Sequence, residues 1–518
     1  MKTPIFQNQF TDQLVADTIS NNYVRLVPAA HFSYISPKIP SQPQLIHYSE
    51  EVAELLGLSA DYLVSSDFVA LFSGQKTGTN SKPFAMNYAG HQFGNWAGQL
   101  GDGRAINLGE LNQWSVQLKG AGPTPYSRRG DGFAVLRSSI REHLCSEAMF
   151  HLGVPTTRSL ALFLSGDDVV RDMLYNGNPA LEKGAIVCRI APSFIRFGNF
   201  ELFASQGDLI NLQKLADYTI THYFPSITSS GKQKYIDFLQ QVVDRSLALV
   251  LQWQRVGFVH GVMNTDNMSV HGITIDYGPY GWLEDYHPDW TPNTTDRENR
   301  RYRFGNQPDI MLWNLYQLAN SLYPLIEETE PLEIILNAFA TQYEPQYVNM
   351  MRNKLGLKVS KEDDQKLIYS LLDNLQQSET DMTIFFRLLA NVSKTNTAEE
   401  ALENLTFAFY QLNEITGLTK SRWILWLEQY LVRLQEESTS DTLRQQQMNQ
   451  INPKYVLRNY MAQLAIDEAN QGNYALIDEL YCVLKKPYDE QPEFEKWFAK
   501  RPDWARTKVG CSMLSCSS

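Results

Sequence analysis

The segment spanning residues 260–282, HGVMNTDNMSVHGITIDYGPYGW, constrains the fold of this chain more than any other. It places an asparagine, Asn267, ahead of an alternating apolar run, GITI, which leads into Asp276 and then Gly278. An amide oxygen and a carboxylate are hard ligands of the kind that Mg²⁺ takes together with substrate phosphates. The pattern predicts a loop and then a short strand that ends with Asp276 facing a cleft. The alternative is a β-hairpin with an exposed aspartate.

The bulk properties limit the class of protein. The chain has 518 residues, 43% of them hydrophobic and 20% charged, which is typical of a soluble globular protein with several structural units. It lacks an apolar run of roughly 18 residues and an apolar signal segment, so we expect a cytoplasmic protein that does not bind a membrane. The net charge of −12 disfavours binding along nucleic acid. Five cysteines are too few for a disulfide framework, and none has zinc-site spacing.

The pattern upstream of this segment predicts strands first and helices later. Residues 88–110 are dense in glycine, which suits two strands joined by close turns. WSVQLK alternates apolar and polar residues, so it predicts a strand with Ser115, Gln117 and Lys119 on one face. Residues 134–152 and 235–253 have helical periodicity, and beyond about residue 310 the chain reads as mostly helical.

Lys119 and Glu142 form the first candidate pair. The lysine ends the predicted strand, and the glutamate lies within the helix that follows it. A strand lysine paired with a helix glutamate is how some nucleotide-binding folds hold an ammonium against phosphate oxygens. The alternative is an exposed lysine and an unrelated surface glutamate. The order of these residues relative to Asn267 and Asp276 favours the functional interpretation.

This order of strands, helix and loop is typical of a two-lobed protein-kinase-like fold, which we expect here as an α+β architecture with additional C-terminal helices. Kinases carry a proton-accepting aspartate five residues before the metal-binding asparagine, and that position is Val262 in this chain. Asp266, directly before Asn267, is the available replacement, although an aspartate there also suits a turn or helix cap. His260 is interpreted as a structural residue that braces the loop.

Two glycine-containing turns are weaker candidates for phosphate contacts. GDGR contains Gly101, Gly103 and Arg104, and a second GDG contains Asp131 and Gly132. Successive turn amides bind anions and an arginine adds a bidentate fork, but Asp-Gly is also a common turn dipeptide.

Arg189 and Arg196 stay undecided on the residues alone. They lie seven positions apart, which would put them on one face of a helix, but Pro192 between them makes a continuous helix doubtful.

The chain resembles the selenoprotein O family, also called YdiU-like, of protein adenylyltransferases. The resemblance covers nearly the whole chain and is carried by QLGDGRAINLGE, LKGAGPTPYSRRGDGFAVLRSSIRE, SEAMFHLGVPTTRSLAL, RIAPSFIRFGNFE, WQRVGFVHGVMNTDNMS and TIDYGPYGWLEDY. It implies a kinase-like fold that binds ATP in a flipped orientation, requires Mg²⁺ or Mn²⁺, and transfers AMP to Ser, Thr or Tyr hydroxyls of proteins.

The resemblance also implies roles for individual residues. Asp266 is the implied proton acceptor, Asn267 and Asp276 are the implied metal ligands, and Glu142 is the helix partner of Lys119. The implied nucleotide contacts are Gly101, Gly103, Arg104, Lys119, Asp131, Gly132, Arg189, Arg196 and Asp276. Two alternatives stay open at this point: a conventional kinase that transfers the γ-phosphate, and a non-catalytic nucleotide-binding scaffold.

We expect five regions along the chain: an N-terminal extension (1–80), a first lobe (81–165), a second lobe with the catalytic and metal loops (166–330), a helical region (331–500) and a cysteine-containing tail (501–518). Many family members carry selenocysteine third from the end, where this chain has Cys516. Cys511 and Cys516 could therefore engage a redox partner, and an inert frayed tail is the alternative.

Overall fold

The protein has a mixed α and β architecture in which one antiparallel sheet carries most of the strands. The computed structural model describes residues 3–173, 175–511 and 513–515. The strands, in chain order, are β1 (Phe32–Tyr34), β2 (Gln44–Tyr48), β3 (Phe84–Met86), β4 (Ala89–Gln92), β5 (Asn95–Gln99), β6 (Ala105–Leu111), β7 (Trp114–Lys119), β8 (Ala134–Val135), β9 (Arg158–Arg171), β10 (Ala180–Ala191), β11 (Phe258–Val259) and β12 (Gly281–Trp282).

The helices dominate the second half of the chain. In chain order they are α1 (Gln9–Gln13), α2 (Glu50–Leu55), α3 (Ala60–Leu63), α4 (Ser66–Phe72), α5 (Leu136–His151), α6 (Phe197–Gln206), α7 (Leu209–Tyr223), α8 (Lys232–Val256), α9 (Gln307–Ile326), α10 (Glu330–Lys354), α11 (Asp364–Gln377), α12 (Met382–Leu389), α13 (Ala398–Leu405), α14 (Gly417–Gln435), α15 (Asp441–Asn449), α16 (Asn459–Asn470) and α17 (Ala475–Leu484). The helical character predicted beyond residue 310 is confirmed.

The main sheet has the strand order β1-β3-β6-β7-β10-β9-β2, with β8 paired to β10. Both edge strands come from the N-terminal 80 residues, since β1 pairs with β3 and β2 pairs with β9. The boundary predicted between residues 165 and 166 falls inside β9, and β9 and β10 are paired along their length within this sheet. The short hairpin of β4 and β5 stands apart as its own two-stranded sheet.

The sheet is covered on both faces by apolar side chains. On one face, Val116 and Leu118 of β7 pack in a cluster with Phe68 and Phe72 of α4. The other face packs on α5, and its core continues into the helices of the second half. The predicted alternation along β7 is confirmed: its apolar residues pack in the first cluster, and its polar side chains lie on the opposite face.

The C-terminal helices return to the sheet region. Helices α16 and α17 both contact α5, and the Tyr481 hydroxyl of α17 donates a hydrogen bond to Ser49 Oγ at 2.8 Å. Because Ser49 caps the N-terminus of α2, the last helices and the first ones hold each other in place. Within the part of the chain that the structure describes, no helix is long and apolar enough to cross a membrane.

Four local predictions can be compared with the elements. The strand at WSVQLK is confirmed as β7, and the helix at 235–253 lies within α8. The helix predicted over 134–152 begins two residues later, because Ala134–Val135 pair with β10 as β8. Residues 88–110 contain the β4–β5 hairpin and most of β6, which is one strand more than predicted.

The strand predicted at GITIDYG is wrong. Thr274 forms only isolated bridges, to Thr156 on one side and Met268 on the other. A single residue of pairing on each side cannot propagate a ladder, and the chain leaves the extended conformation at Asp276, whose φ is 55°. Burial of this segment, not strand pairing, accounts for its apolar residues.

Helix α5 provides a test of the packing between the sheet and the helical half. Leu144 is 0% exposed within this core, whereas Leu418 of α14 is 84% exposed. We expect Leu144→Ala to lower the free energy of unfolding by about 3 kcal/mol, because it leaves a cavity between packed layers. Leu418→Ala is the matched control and should change it by less than about 0.5 kcal/mol. Urea denaturation followed by tryptophan fluorescence measures both, and equal effects would contradict the assigned core.

Candidate active site

Lys119 and Glu142 meet beneath the sheet. The ammonium of Lys119, at the end of β7, lies 2.7 Å from the Glu142 carboxylate of α5. It also lies 3.6 Å from the carboxylate of Asp276. Both partners of the predicted pair are buried, at 9% and 4% side-chain exposure. The alternative of an exposed lysine and an unrelated glutamate is therefore excluded by the geometry.

Two arginines from different elements join this pair. Arg189 of β10 donates from Nη1 to Glu142 Oε1 and to Asp276 Oδ1, both at 2.7 Å. Arg196, at the N-terminus of α6, donates from Nη1 to Asp276 Oδ2 at 2.5 Å. The turn through Pro192 that ends β10 brings the two guanidinium groups to one carboxylate. The sequence left their relation open because it depends on this turn and not on helical spacing.

Asp276 is held between three cations. Burial by itself would raise the pKa of its carboxyl, but Arg196, Arg189 and Lys119 together hold that pKa well below its usual range. Its backbone lies in the left-handed region, with φ of 55°, which an aspartate tolerates better than most residues. The side chain is therefore an ionised, oriented carboxylate.

Three carboxylates lie close to the three cations. Among the described residues, the carboxylates of Glu142 and Asp276 lie within 3 Å of this group, and Asp102 lies 3.9 Å from Arg196 Nη2. Arg196 Nη2 is buried and has no hydrogen-bond partner within the described ranges. Burial also lowers the pKa of Lys119, opposed by Glu142. The buried Arg196 Nη2 donor, which lacks a hydrogen-bond partner in the described part of the chain, favours an incoming anion.

Gln117 and Asp102 support the arginines and were missed at the level of sequence. Gln117 Oε1 accepts from Arg189 Nε at 2.8 Å and from Nη2 at 2.6 Å. Its Nε2 donates to Asp102 Oδ2 at 3.4 Å, and Met86 N–H donates to the same oxygen at 3.0 Å. The signal for Gln117 was its position two residues before Lys119 on the polar face of β7. For Asp102 the sequence offered no signal except its position inside GDGR.

Asp266 lies beside this cluster in a 3₁₀ turn, Thr265–Asn267. Its carbonyl oxygen accepts from Arg196 Nη1 at 2.8 Å, and its carboxylate Oδ2 accepts from Gln92 Nε2 at 3.2 Å. The other carboxylate oxygen is buried and has no hydrogen-bond partner among the described residues. Burial, partly offset by Arg196, raises the pKa of Asp266 to about 6. Such a group can exchange a proton near neutral pH.

The β4–β5 hairpin holds this turn. The N–H of His91 donates to Thr265 Oγ1 at 2.7 Å, and the N–H of Phe93 donates to Asn264 Oδ1 at 3.1 Å. At Gly90 an added Cβ would lie 2.9 Å from Thr265 Oγ1 and 3.2 Å from Asp266 Cβ, so only glycine permits this approach. The glycine-dense segment therefore serves a close backbone contact, as its composition predicts.

The loop is braced from its other end by His260. Its Nε2 lies 3.0 Å from the carbonyl oxygen of Ile275, and its Nδ1 accepts from the N–H of Val262 at 3.3 Å. Burial lowers the pKa of His260 to about 4, so the ring is neutral with its proton on Nε2. Asn267 Nδ2 donates to the Val262 carbonyl at 2.9 Å, which leaves its side-chain oxygen as the atom for a ligand.

Asn267 and Asp276 fit a hard divalent cation by the chemistry of their donor atoms. An amide oxygen and an ionised carboxylate are suitable ligands for Mg²⁺ or Mn²⁺. In this structure the Asp276 oxygens are taken by Lys119, Arg189 and Arg196. A cation at Asp276 therefore requires a second anion that draws these side chains away.

Gly101, Gly103 and Arg104 line the turn between β5 and β6. Gly101 has φ of 72°, and an added Cβ would lie 2.3 Å from the ring of Tyr126. Ala105, directly after Arg104, pairs with Lys119 of β7, so this turn lies next to the end of the strand that carries the lysine. The positive charge of Arg104 contributes to the lowered pKa of Lys119.

Asp131 and Gly132 do not contact the cation cluster. Asp131 forms a bidentate pair with Arg171, at 2.6 and 2.9 Å, and its side chain is 43% exposed. The Gly132 carbonyl accepts from the N–H of Gly122 at 3.0 Å. The structure thus gathers the lysine, the glutamate, both arginines and both aspartates near the loop, whereas the second GDG contacts Arg171 and Gly122.

A second group of titratable side chains lies elsewhere, between α2 and α5. Ligand atoms of Glu51, Glu147 and His151 lie within 4.8 Å of one another. Arg158 is 2.7 Å from Glu147, and Lys485 is 2.7 Å from Glu51. The carboxylates are already neutralised by these cations, so the group is an ion-pair network.

Cys511 lies in the packed part of the tail. It is 4% exposed, its carbonyl accepts from Asn459 Nδ2 at 2.7 Å, and burial raises the pKa of its thiol to about 11. A buried thiol with a raised pKa is a poor nucleophile. Cys516 lies outside the described residues, so the redox role stays a prediction.

The arrangement as a whole can hold a polyphosphate by its buried cations, orient it with a divalent cation, and present a carboxylate that accepts a proton. Comparison with known proteins agrees with this chemistry. The family model described as protein adenylyltransferase SelO matches residues 15–485. The chain is similar to proteins named protein nucleotidyltransferase YdiU from Flavobacterium johnsoniae (61% identity), Rhodopirellula baltica (51%) and Aromatoleum aromaticum (50%). Each alignment covers 99–100% of both chains.

The charge balance at Asp276 provides a test. We expect Asp276→Asn to lower the free energy of unfolding by about 3 kcal/mol, because three buried cations lose their shared carboxylate. Asparagine keeps the size of the side chain and tolerates the left-handed backbone. The matched control is Asp131→Asn, which also removes a carboxylate from an arginine but at an exposed position, and it should cost less than about 1 kcal/mol. Denaturant unfolding measures the free energy of unfolding of both variants. Equal losses of stability would contradict a buried cluster of cations around Asp276.

Proposed function

Because the chain belongs to the SelO family of protein adenylyltransferases, we propose that its cluster of buried cations binds ATP and directs transfer of AMP to hydroxyl groups of acceptor proteins. The protein is a nucleotidyltransferase that uses ATP as its substrate. The acceptor groups in this proposal are Ser, Thr and Tyr hydroxyls, and the transfer releases pyrophosphate.

One observation carries the proposal: Lys119, Arg189 and Arg196 converge on Asp276, and among the described residues Arg196 Nη2 has no hydrogen-bond partner. The β- and γ-phosphates of ATP would replace the Asp276 carboxylate as the partner of these cations. With the terminal phosphates innermost, the nucleotide is flipped relative to a kinase and the α-phosphate lies towards Asp266. The cations then stabilise pyrophosphate as it leaves, which is the main requirement of this reaction.

The transfer step assigns a role to Asp266. The acceptor hydroxyl oxygen attacks the α-phosphorus, and the bond from that phosphorus to the oxygen bridging to the β-phosphate breaks. The hydroxyl proton passes to the Asp266 carboxylate, and the electron pair of the broken bond leaves on pyrophosphate. Val262, at the position of the usual kinase base, has no group that can accept a proton, which disfavours γ-phosphate transfer by the ordinary route.

Asn267 and Asp276 would hold Mg²⁺ or Mn²⁺ in this proposal. A divalent cation supplies charge neutralisation of the phosphates when it is bound. Once phosphates engage Lys119, Arg189 and Arg196, the Asp276 carboxylate becomes free to act as a metal ligand. The arrangement therefore couples binding of the metal to binding of the nucleotide.

Gly101, Gly103 and Arg104 would approach the phosphates from the β5–β6 turn. Asp131 and Gly132, at the rim, would contact the outer part of the nucleotide, since they lie away from the cations. In the exposed pair with Arg171, Asp131 is able to exchange partners at small cost.

We further propose that the fold is two-lobed and protein-kinase-like. The sheet with α5 would form the first lobe, together with the N-terminal extension that supplies its edge strands. The boundary would then follow β10, at Pro192, and not residue 165. The second lobe would contain α6 to α9 with the catalytic and metal loops up to residue 330, and residues 331–500 would add the helical region ahead of the 501–518 tail. The order of Lys119, Glu142, Asn267 and Asp276 supports this interpretation.

Incubation with ATP, Mn²⁺ and a mixture of proteins, followed by intact mass measurement, tests the activity. We expect acceptors to gain the mass of AMP, and Asp266→Asn to reduce the rate by about 10²–10⁴-fold, because the proton acceptor is lost. ATP binding by the variant should persist, measured by calorimetry. A gain equal to one phosphate would establish a kinase, and bound ATP without any gain would establish a scaffold.

The pH dependence follows from the raised pKa of Asp266, about 6. Only the ionised carboxylate accepts a proton, so kcat/KM for AMP transfer should rise as the pH increases through about 6 and level above it. The same ionisation makes the fold less stable as the pH rises, because the folded state prefers the protonated form.

Gln92 provides the control for this profile. Its Nε2 donates to Asp266 Oδ2 at 3.2 Å and thereby favours the carboxylate. Gln92→Leu should move the rise in kcat/KM to higher pH, whereas Lys420→Gln on the remote helix α14 should leave it in place. A profile that is flat between pH 5 and 8 would contradict the role of Asp266.

A further inference from the structure

The outer surface of the β4–β5 hairpin carries aromatic side chains next to the Asp266 turn. The ring of His91 lies 5.1 Å from that of Trp96 and 5.4 Å from that of Trp313 of α9. Trp96 is 45% exposed. Since His91 donates its N–H to Thr265, directly before Asp266, this aromatic group is fixed to the loop that the proposed function uses.

Arg301 extends the aromatic group. Its guanidinium carbon lies 4.7 Å above the ring of Trp313 and 5.8 Å from that of Tyr302. An added Cβ at Gly94, the tip of the hairpin, would lie 3.2 Å from the same carbon. The Tyr302 hydroxyl, 2.9 Å from the N–H of Phe93, ties this segment to the hairpin. The cation is thus stacked and oriented.

The segment that carries Arg301 is strongly basic in an acidic protein. Residues 297–303, RENRRYR, contain four arginines and one glutamate, whereas the whole chain has a net charge of −12. Arg303 pairs with Asp289 at 3.0 Å. Within the described ranges, Arg297, Arg300 and Arg301 form no ion pair, and the first two are exposed.

The buried carboxylate nearest in sequence forms its hydrogen bonds with backbone N–H groups. Asp296 accepts the N–H of Arg301 at 2.9 Å and the N–H of Tyr302 at 2.7 Å, so its oxygens fix the backbone of this turn. Arg297 and Arg300 are therefore exposed on a backbone that is held in place, and Arg301 is partly buried against Trp313.

We propose that Trp96, Trp313, Arg297, Arg300 and Arg301, here called the Arg301 surface, bind an acidic segment of the acceptor protein next to the hydroxyl that receives AMP. The inference rests on the proposed function and deepens it by naming the chemistry of the acceptor. Aromatic residues and arginine are the residues that dominate binding at protein interfaces. Unneutralised arginines select glutamate and aspartate by charge complementarity, and the field of the remaining acidic surface repels such segments elsewhere.

Binding of two peptides tests the inference directly. Both are fluorescently labelled and contain one threonine, which is flanked by glutamates in the first peptide and by glutamines in the second. Fluorescence anisotropy should show tighter binding of the glutamate peptide to the wild-type protein. The double variant Arg297→Gln/Arg300→Gln should bind the glutamate peptide about tenfold more weakly, because two exposed charge contacts are removed. Its affinity for the glutamine peptide should stay unchanged.

Two controls sharpen the comparison. Lys420→Gln/Arg422→Gln removes the same charge from α14 and should bind both peptides as the wild type does. Trp96→Ala should weaken binding of both peptides, since it removes the stacking surface and no charge. Raising the salt concentration should reduce the preference for the glutamate peptide.

Equal affinity of the wild-type protein for the two peptides would overturn the inference. It would also be overturned if the Arg297→Gln/Arg300→Gln variant bound the glutamate peptide as tightly as the wild type does. The binding assay is independent of turnover. If no protein gained AMP in the mass experiment, the proposed function would fail, while the peptide affinities would still decide whether the Arg301 surface binds acidic segments.

Discussion

The Asp276 carboxylate, shared by three buried cations, is the interaction on which the rest of the structure depends. Lys119 comes from β7, Arg189 from β10 and Arg196 from the start of α6, so one side chain ties three elements together. Burial removes each cation from water, which costs free energy unless a negative partner lies close to it. The sheet, the turn after it and the loop that carries Asp276 must therefore keep a fixed relation for the charges to balance.

The supporting groups explain how that relation is kept. On α5, Arg141 donates to the Tyr280 carbonyl at 2.7 Å and stacks 4.3 Å from the Tyr280 ring, just after the Asp276 turn. Asn459 of α16 lies 3.4 Å from the same arginine and donates to the Cys511 carbonyl. The C-terminal helices and tail thus support the helix that carries Glu142. Distant parts of the chain contribute to the site through packing, without entering it.

Charge is also distributed in a way that fits the proposed reaction. Among the described residues Arg196 Nη2 has no hydrogen-bond partner, so an anion that enters meets a buried donor already in place. Asp266 lies beside these cations, where burial raises the pKa of its carboxyl and Arg196 limits the rise. The Arg301 surface adds positive charge next to the Asp266 turn, on an otherwise acidic protein. The nucleotide, the proton acceptor and the acceptor protein would thus each lie beside positively charged side chains.

The sequence alone determined the local elements and the types of chemistry. Alternation in WSVQLK predicted β7 and the polar face that carries Lys119, because a strand has a period of two. The order of Lys119, Glu142, Asn267 and Asp276 predicted which groups meet, and the Lys119–Glu142 pair is present. Tertiary structure decided what spacing could not. It joined Arg189 and Arg196 through the turn at Pro192, placed Gln117 and Gln92 against Arg189 and Asp266, and left GITIDYG as a buried segment without strand pairing. The physical reason is that local propensity depends on neighbours in the chain, whereas charge compensation and ladder formation depend on partners that only the folded chain brings within reach.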